Sequence, residues 1–443
     1  MKILITNAVA LNTGDAAITL SIVELLRTQF GENTEFIIYD PNPSSTKKYY
    51  PELVWRKWLY SQVTQSEQQA KLLGNSLLER IFKRISHWKT RINIPIFYFA
   101  AWCHVKGFSL ITKVLLNKEQ FEDVCHYSSA DLIISTGGTY LIEDYPLEPR
   151  IFDYKISLIM EKPLGFYTQS LGPFSLESNQ NSLREIFNQS AFILLRDELS
   201  LKHIQDLGIS EQPKINVSSD VVFSYKHQLK PTSEKKNLDL ENHRLKIAIS
   251  VRFWQAFKTV PVEVGVNNYR SAMCALTQYL VEKYNAEITY ISTCQGIPEY
   301  WTDDSKFATE ICDLLPDTIQ QQVNVNKNYH HPETLLEILK TYDVVIGTRM
   351  HMCILSLIAG TPVFPIAYEF KTKELFARLG MSKWVQDIET VNKETLINSI
   401  DDFLANLPEF RNDLMAKVDQ ERSRAIKSGI LVKESLEDWQ KNK

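Results

Sequence analysis

The stretch DVVIGTRMHMCILSLIAGTPVFPIAYEFKTKELF, Asp343 to Phe376, sets the architecture of the chain. An oily run stops at Gly347. An apolar stretch of helical length follows from Met350 to Ala359, and Gly360 ends it before a second oily run, TPVFPIAY. Strand, helix and strand in that order predict a parallel sheet, and a glycine just past the last helical residue is a common stop. Thr348, Arg349 and His351 then fall at the helix N-terminus, where free N–H groups and the positive dipole end favour an anion. Arginine adds a two-pronged donor for carboxylate or phosphate. Histidine adds an acid or base near neutral pH. A charge among apolar neighbours needs a partner, so Arg349 either holds a ligand or closes a structural salt bridge with an Asp or Glu.

The alternation continues on either side. KILITNAVA (2–10), EFIIYD (35–40), ADLIISTGG (130–138), PLGFYTQSLGP (163–173), AFILLRDELS (191–200) and INVSSDVVF (215–223) read as strands with their loops, and residues 16–30 as a helix. The polar stretch 226–244 reads as a linker. After it, KIAISV (246–251) and EITYIST (287–293) with helices at 269–284 and 332–342 restart the pattern. ADLIISTGG and YDVVIGTRM share a spacing of acid, apolar run and threonine, which points to two similar halves. The predicted fold class is α/β, with two Rossmann-like doubly wound domains facing across a cleft lined by strand C-terminal ends. The domains are expected at 1–228, with a helical insert at about 45–127, and at 245–395. Charged amphipathic helices are expected over 396–443.

The chain has 443 residues, enough for two or three domains. A net charge of −4 argues against nucleic-acid binding, which calls for a basic surface. The six cysteines form no CxxC pair, and the first strand runs into its loop without a signal-peptide pattern, so a cytoplasmic protein is expected. Residues 79–113 carry seven Lys or Arg and one acid among many aromatics. Such a stretch either lies on an anionic membrane, here the inner membrane face, or packs as helices with its cations snorkelling outward.

Other loops carry weaker signals. In NTGDAA, Asn12 opens the loop after the first strand, Gly14 permits a tight turn, and Asp15 either caps the helix or binds a hydroxyl. The loop is not a GxGxxG fingerprint, so a dinucleotide is not supported. Gly137 and Gly138 either admit a ligand to the backbone or form a plain turn. Gln169 and Ser170 precede a Gly-Pro turn. Arg196 leaves a buried strand beside Asp197, as an anion contact or as a local Arg–Asp pair, and Arg252 in SVRFW stands at another strand end. Glu143 and Asp144 sit in a loop from which they could orient hydroxyls. His330-His331 lacks partners at ligand spacing, and no metal is expected.

Together, NTGD, DLIISTGG, TQSLGP, RDELS with LGI (207–209), SSDVVF and the TRMH…FARLG segment resemble the polysaccharide pyruvyl transferase family over about residues 1–385. One departure is NAVALNTGD, where the family usually places glycine before the Asn. The resemblance implies a GT-B-like arrangement without a cofactor. It implies transfer of a pyruvyl group from phosphoenolpyruvate to two hydroxyls of a sugar, on an acceptor that is free or lipid-linked. It also implies that Arg349 and His351 act as donor-binding and acid/base residues, that Arg196 and Arg252 contact anions, and that Lys371 is a basic contact or a structural residue. The rival readings are a GT-B-type glycosyltransferase using a nucleotide sugar, and a non-catalytic glycan- or anion-binding protein.

Overall fold

The computed structural model describes residues 1–64, 77–209, 214–226 and 244–442, for 77–90 the backbone alone. Residues 227–243 of the expected linker, and the side chains of Ile81, Phe82 and Trp88 in the basic aromatic stretch, lie outside the described residues. The chain divides into two compact units. The first comprises Met1–Val9, Ile22–Asp220 and Lys427–Lys443; the second comprises Ala10–Ser21 and Val221–Ile426. The loop after the first strand thus groups with the second unit.

The first unit is built on β1 (Lys2–Thr6), β2 (Glu35–Asp40), β3 (Val54–Lys57), β4 (Leu132–Ser135), β5 (Gly138–Leu141), β6 (Leu164–Leu171), β7 (Phe192–Leu195) and β8 (Lys214–Val217). Their order is β3-β2-β1-β4-β6-β7-β8, each of these strand pairs is parallel, and β5 pairs with the later residues of β6. β4, β6 and β7 are buried along their whole length. That is why their sequences are continuous oily runs rather than alternating ones.

The second unit repeats the plan with β9 (Lys246–Ser250), β10 (Glu287–Tyr290), β11 (Val323–Val325), β12 (Val344–Gly347), β13 (Val363–Ala367) and β14 (Gln386–Asp387). The order β11-β10-β9-β12-β13-β14, all parallel, is the doubly wound order. In such sheets ligands bind beyond the strand C-termini where the order reverses. Here that place lies between β9 and β12, and between β1 and β4.

Three expectations change. In SSDVVF the strand has ended at Val217, and Val221–Ser224 is a buried 3-10 turn. The turn carries Asp220 to an arginine rather than along a ladder. The insert contains an edge strand, β3, that its sequence VWRK did not advertise. The expected C-terminal helices are one helix, Lys393–Lys441, with Pro408 inside it.

Candidate active site

In the second unit, β9 and β12 end side by side, with Ser250 opposite Gly347. Thr348 N–H then donates to Ser250 O, and the helix Met350–Ile358 starts with Arg349 as its N-cap. Thr348 is buried, its hydroxyl bonded to that of Tyr269 at 2.8 Å. His351, on the first turn of the helix, keeps its Nδ1 4.0 Å from Asp15 Oδ1, an ion pair when the ring is protonated.

The Asn12–Asp15 loop is moulded to that histidine. Asn12 Oδ1 accepts the Gly14 N–H, Thr13 N–H donates to Thr293 O, and Thr13 Oγ1 donates to His330 O. A Cβ on Gly14 would lie 2.6 Å from His351 Cβ. Glycine is needed there because the imidazole packs against its backbone.

Arg349 is not an open cation. Its Nε and Nη2 donate to the two oxygens of Asp304 at 2.8 and 2.7 Å, and both residues are buried. Burial by itself would lower the Arg349 guanidinium, but the Asp304 carboxylate more than offsets this and holds it above its ordinary range. Asp304 begins the helix Asp304–Asp313 and also accepts Ser292 Oγ. Of the two readings of Arg349, the geometry shows the salt bridge. Burial also pushes the neighbouring Cys294 thiol up to about 12, with Arg349, Asp304, Asp15 and Arg252 all acting on it.

Arg252 differs. Its guanidinium lies 4.3 Å from the Tyr368 ring and 4.9 Å from the Trp254 ring. The two rings sit 4.8 Å apart. Among the described residues no carboxylate lies within ion-pair distance of it, and the Trp254 indole N–H beside it has no hydrogen-bond partner. Lys371 is 5.9 Å from the Tyr368 ring, but its ammonium pairs with Glu369 at 2.5 Å.

In the first unit, Arg196 is buried and shared among Asp220, Ser170 and Thr139 at 2.5, 2.7 and 2.6 Å. Its acid is Asp220 and not the adjacent Asp197, which caps the helix Glu198–Asp206 through Ser200 N–H. Gly137 lies against β6: an added Cβ would meet Thr168 Oγ1 at 2.8 Å. Gly138 has φ +152° and opens β5. Gln169 Nε2 donates to Tyr140 OH at 2.8 Å, in a neutral network that includes Ser135 and Tyr154. Gln169 Oε1 has no partner among the described residues. Glu143 accepts from the Ser175 hydroxyl, and from Asn179, Leu176 N–H and Ser175 N–H at 2.9 Å each. Desolvation opposes ionisation, but these bonds prevail and lower its carboxyl to about 2. Glu143 therefore holds the start of the helix Glu177–Asn188. Asp144 is exposed.

Asn12, Gly14, Asp15, Arg252, Arg349 and His351 are thus brought together in the second unit, and Gly137, Gly138, Gln169 and Arg196 lie in the first. Sequence reasoning missed Asp304, the Trp254 N–H and Tyr140. Asp303-Asp304 before a helical stretch was the one available sign of the first of these.

Two parallel doubly wound sheets with cationic and polar residues at their strand ends define the class: an α/β protein of the GT-B type. Solved structures agree. HepE of Anabaena, solved with UDP and glucose, superposes with a TM-score of 0.53 at 10% identity, covering 99% of this chain and 100% of that one. The UDP-GlcNAc 2-epimerase of Neisseria meningitidis gives 0.54 at 14%, again over 99% and 100%. The amylovoran biosynthesis protein AmsJ of Erwinia amylovora is 25% identical over 437 residues, 95% of this chain and 96% of that one. The model of the polysaccharide pyruvyl transferase family matches residues 12–369, and the chain belongs to that family.

Proposed function

We propose that this transferase moves the enolpyruvyl group of phosphoenolpyruvate onto two hydroxyls of one sugar in a polysaccharide or its precursor, forming a pyruvate ketal. The observation that carries the proposal is Arg252. It is a guanidinium at the β9–β12 switch point, lying over a pair of touching aromatic rings with its charge not spent on a carboxylate among the described residues, beside an unpartnered indole N–H. Those donors, with the N-terminus of the 350–358 helix, suit a small ligand carrying carboxylate and phosphate.

In this scheme His351 delivers a proton to the methylene carbon, and the central carbon becomes electrophilic. One sugar hydroxyl adds to it and loses its proton. Phosphate then departs with the C–O bonding pair, and a second hydroxyl closes the ketal as its proton is released. Asp15, 4.0 Å away, holds the charged imidazole. Arg349 acts by fixing the first turn on which His351 stands. The hydroxyl-rich network around Tyr140 and Gln169 in the first unit is assigned to the acceptor.

The test is phosphate release from phosphoenolpyruvate across a panel of glycan acceptors, with mass detection of the ketal. Thermal stabilisation by nucleotide sugars but not by phosphoenolpyruvate would favour a glycosyltransferase. Binding of phosphoenolpyruvate without turnover on any acceptor would favour a binding protein.

A further inference from the structure

Helix Leu77–Val105 and helix Ser109–Leu115 form a hairpin with two different faces. The inner face is structural. Phe97, Ala100 and Ala101 join the core of the first unit, and Phe97 packs on Phe152 at 5.7 Å. Phe108 N–H donates to Cys103 O at the turn, and buried Thr112 Oγ1 donates to Ala100 O at 3.0 Å, which ties the short helix back onto the long one.

The outer face is apolar and, among the described residues, uncovered. Ile92, Ile96, Phe99 and Trp102 recur at steps of four, three and three along one side of the helix and are all exposed. Phe99 and Trp102 stack at 6.1 Å. The short helix continues the surface with Leu110, 79% exposed, and Val114, 85% exposed. Nine of the eighteen exposed large hydrophobic residues among those described fall between 92 and 115. This density is far above the scattered exposure of an ordinary surface.

Charge identifies what covers it. From Arg80 to Lys118 the sequence holds eight Lys or Arg and not one acid. Arg91, Lys106, Lys113 and Lys118 stand exposed around the apolar stripe. A second copy docked by this face about a two-fold axis would set one cation-rich patch against another of the same sign. Protein interfaces are in any case depleted in lysine. An anionic bilayer takes both features, since apolar and aromatic side chains sit at the headgroup–acyl boundary while flanking cations meet anionic headgroups. Among the described residues no helix is long and apolar enough to cross a membrane.

We propose that this hairpin is a monotopic docking surface for an anionic lipid bilayer. The test is flotation of the full-length protein with phosphatidylcholine vesicles, with and without phosphatidylglycerol. Binding is expected only with phosphatidylglycerol and should weaken as salt is raised. Lys113→Gln should lower the partition roughly fivefold. Leu110→Glu with Val114→Glu should abolish it while leaving the melting temperature in place, because both sites are exposed. Failure of the wild type to float with phosphatidylglycerol vesicles would overturn the proposal, as would unchanged flotation of the double variant. A dimer in light scattering that the double variant splits, with no vesicle binding, would assign the face to a second copy instead.

Discussion

At the foot of β4 the Asp131 carboxylate accepts the Lys2 N–H at 2.7 Å; at the foot of β12 Asp343 accepts the Lys246 N–H at 2.8 Å. Both strands pair in parallel with the first strand of their sheet and leave it through a threonine whose N–H donates back to that strand, Thr136 to Thr6 and Thr348 to Ser250. Beyond the threonine they part. β4 passes through Gly137 into β5 and a neutral network of hydroxyls and an amide. β12 enters a helix with Arg349 as its N-cap and His351 on its first turn. One scaffold therefore ends in a network of hydroxyls and an amide in one unit, and in the other in a helix start that carries a buried Arg349–Asp304 pair and a histidine. The difference lies in about three residues after the strand, not in the fold.

The largest effect that would break this contrast is on His351. His351→Gln should cut turnover by about 10²–10⁴-fold with circular dichroism and melting unchanged; full activity would remove it from the chemistry. The buried pairs are where the two units should behave alike. Asp304→Asn strands Arg349, Asp220→Asn strands Arg196, and each should cost about 3–5 kcal/mol in urea denaturation. A small loss in one alone would mean that its arginine finds another partner and that the units are less alike than drawn.

A sharper contrast comes from Tyr140→Phe, which removes a hydroxyl from the neutral end. It should raise KM for the acceptor several-fold, about 1 kcal/mol, and leave KM for phosphoenolpyruvate where it was. The smallest effect is at the strand feet. Asp131→Ala and Asp343→Ala should each lose about 1 kcal/mol of stability, to the same extent within error and without an effect on KM.

Much of this was legible in the chain. The shared spacing of ADLIISTGG and YDVVIGTRM reflects two acids doing one job in two sheets, and oily runs broken at Gly347 and Thr136 mark strand ends because burial on both faces leaves no alternation to misread. The arginines were found where they stand, but not what they do. Asp304 lies 45 residues from Arg349 and Asp220 lies 24 from Arg196, and no local pattern joins them. Gly14 read as a turn glycine. Its closer constraint, the imidazole of a residue more than three hundred positions away, exists only once the 10–21 loop joins the second unit. Arg252 read as one strand-end arginine among others, because the aromatic bed that leaves its charge available includes Tyr368 on another strand's loop.

The account rests on Arg252 as the anion contact of the second unit. Calorimetric titration of phosphoenolpyruvate into the wild type, Arg252→Ala and Tyr140→Phe tests this most directly. The expected result is binding by the wild type and by Tyr140→Phe, with a loss of about tenfold or more in Arg252→Ala, the scale of a lost charge-assisted hydrogen bond. Equal binding by Arg252→Ala and the wild type, or a loss confined to Tyr140→Phe, would contradict it.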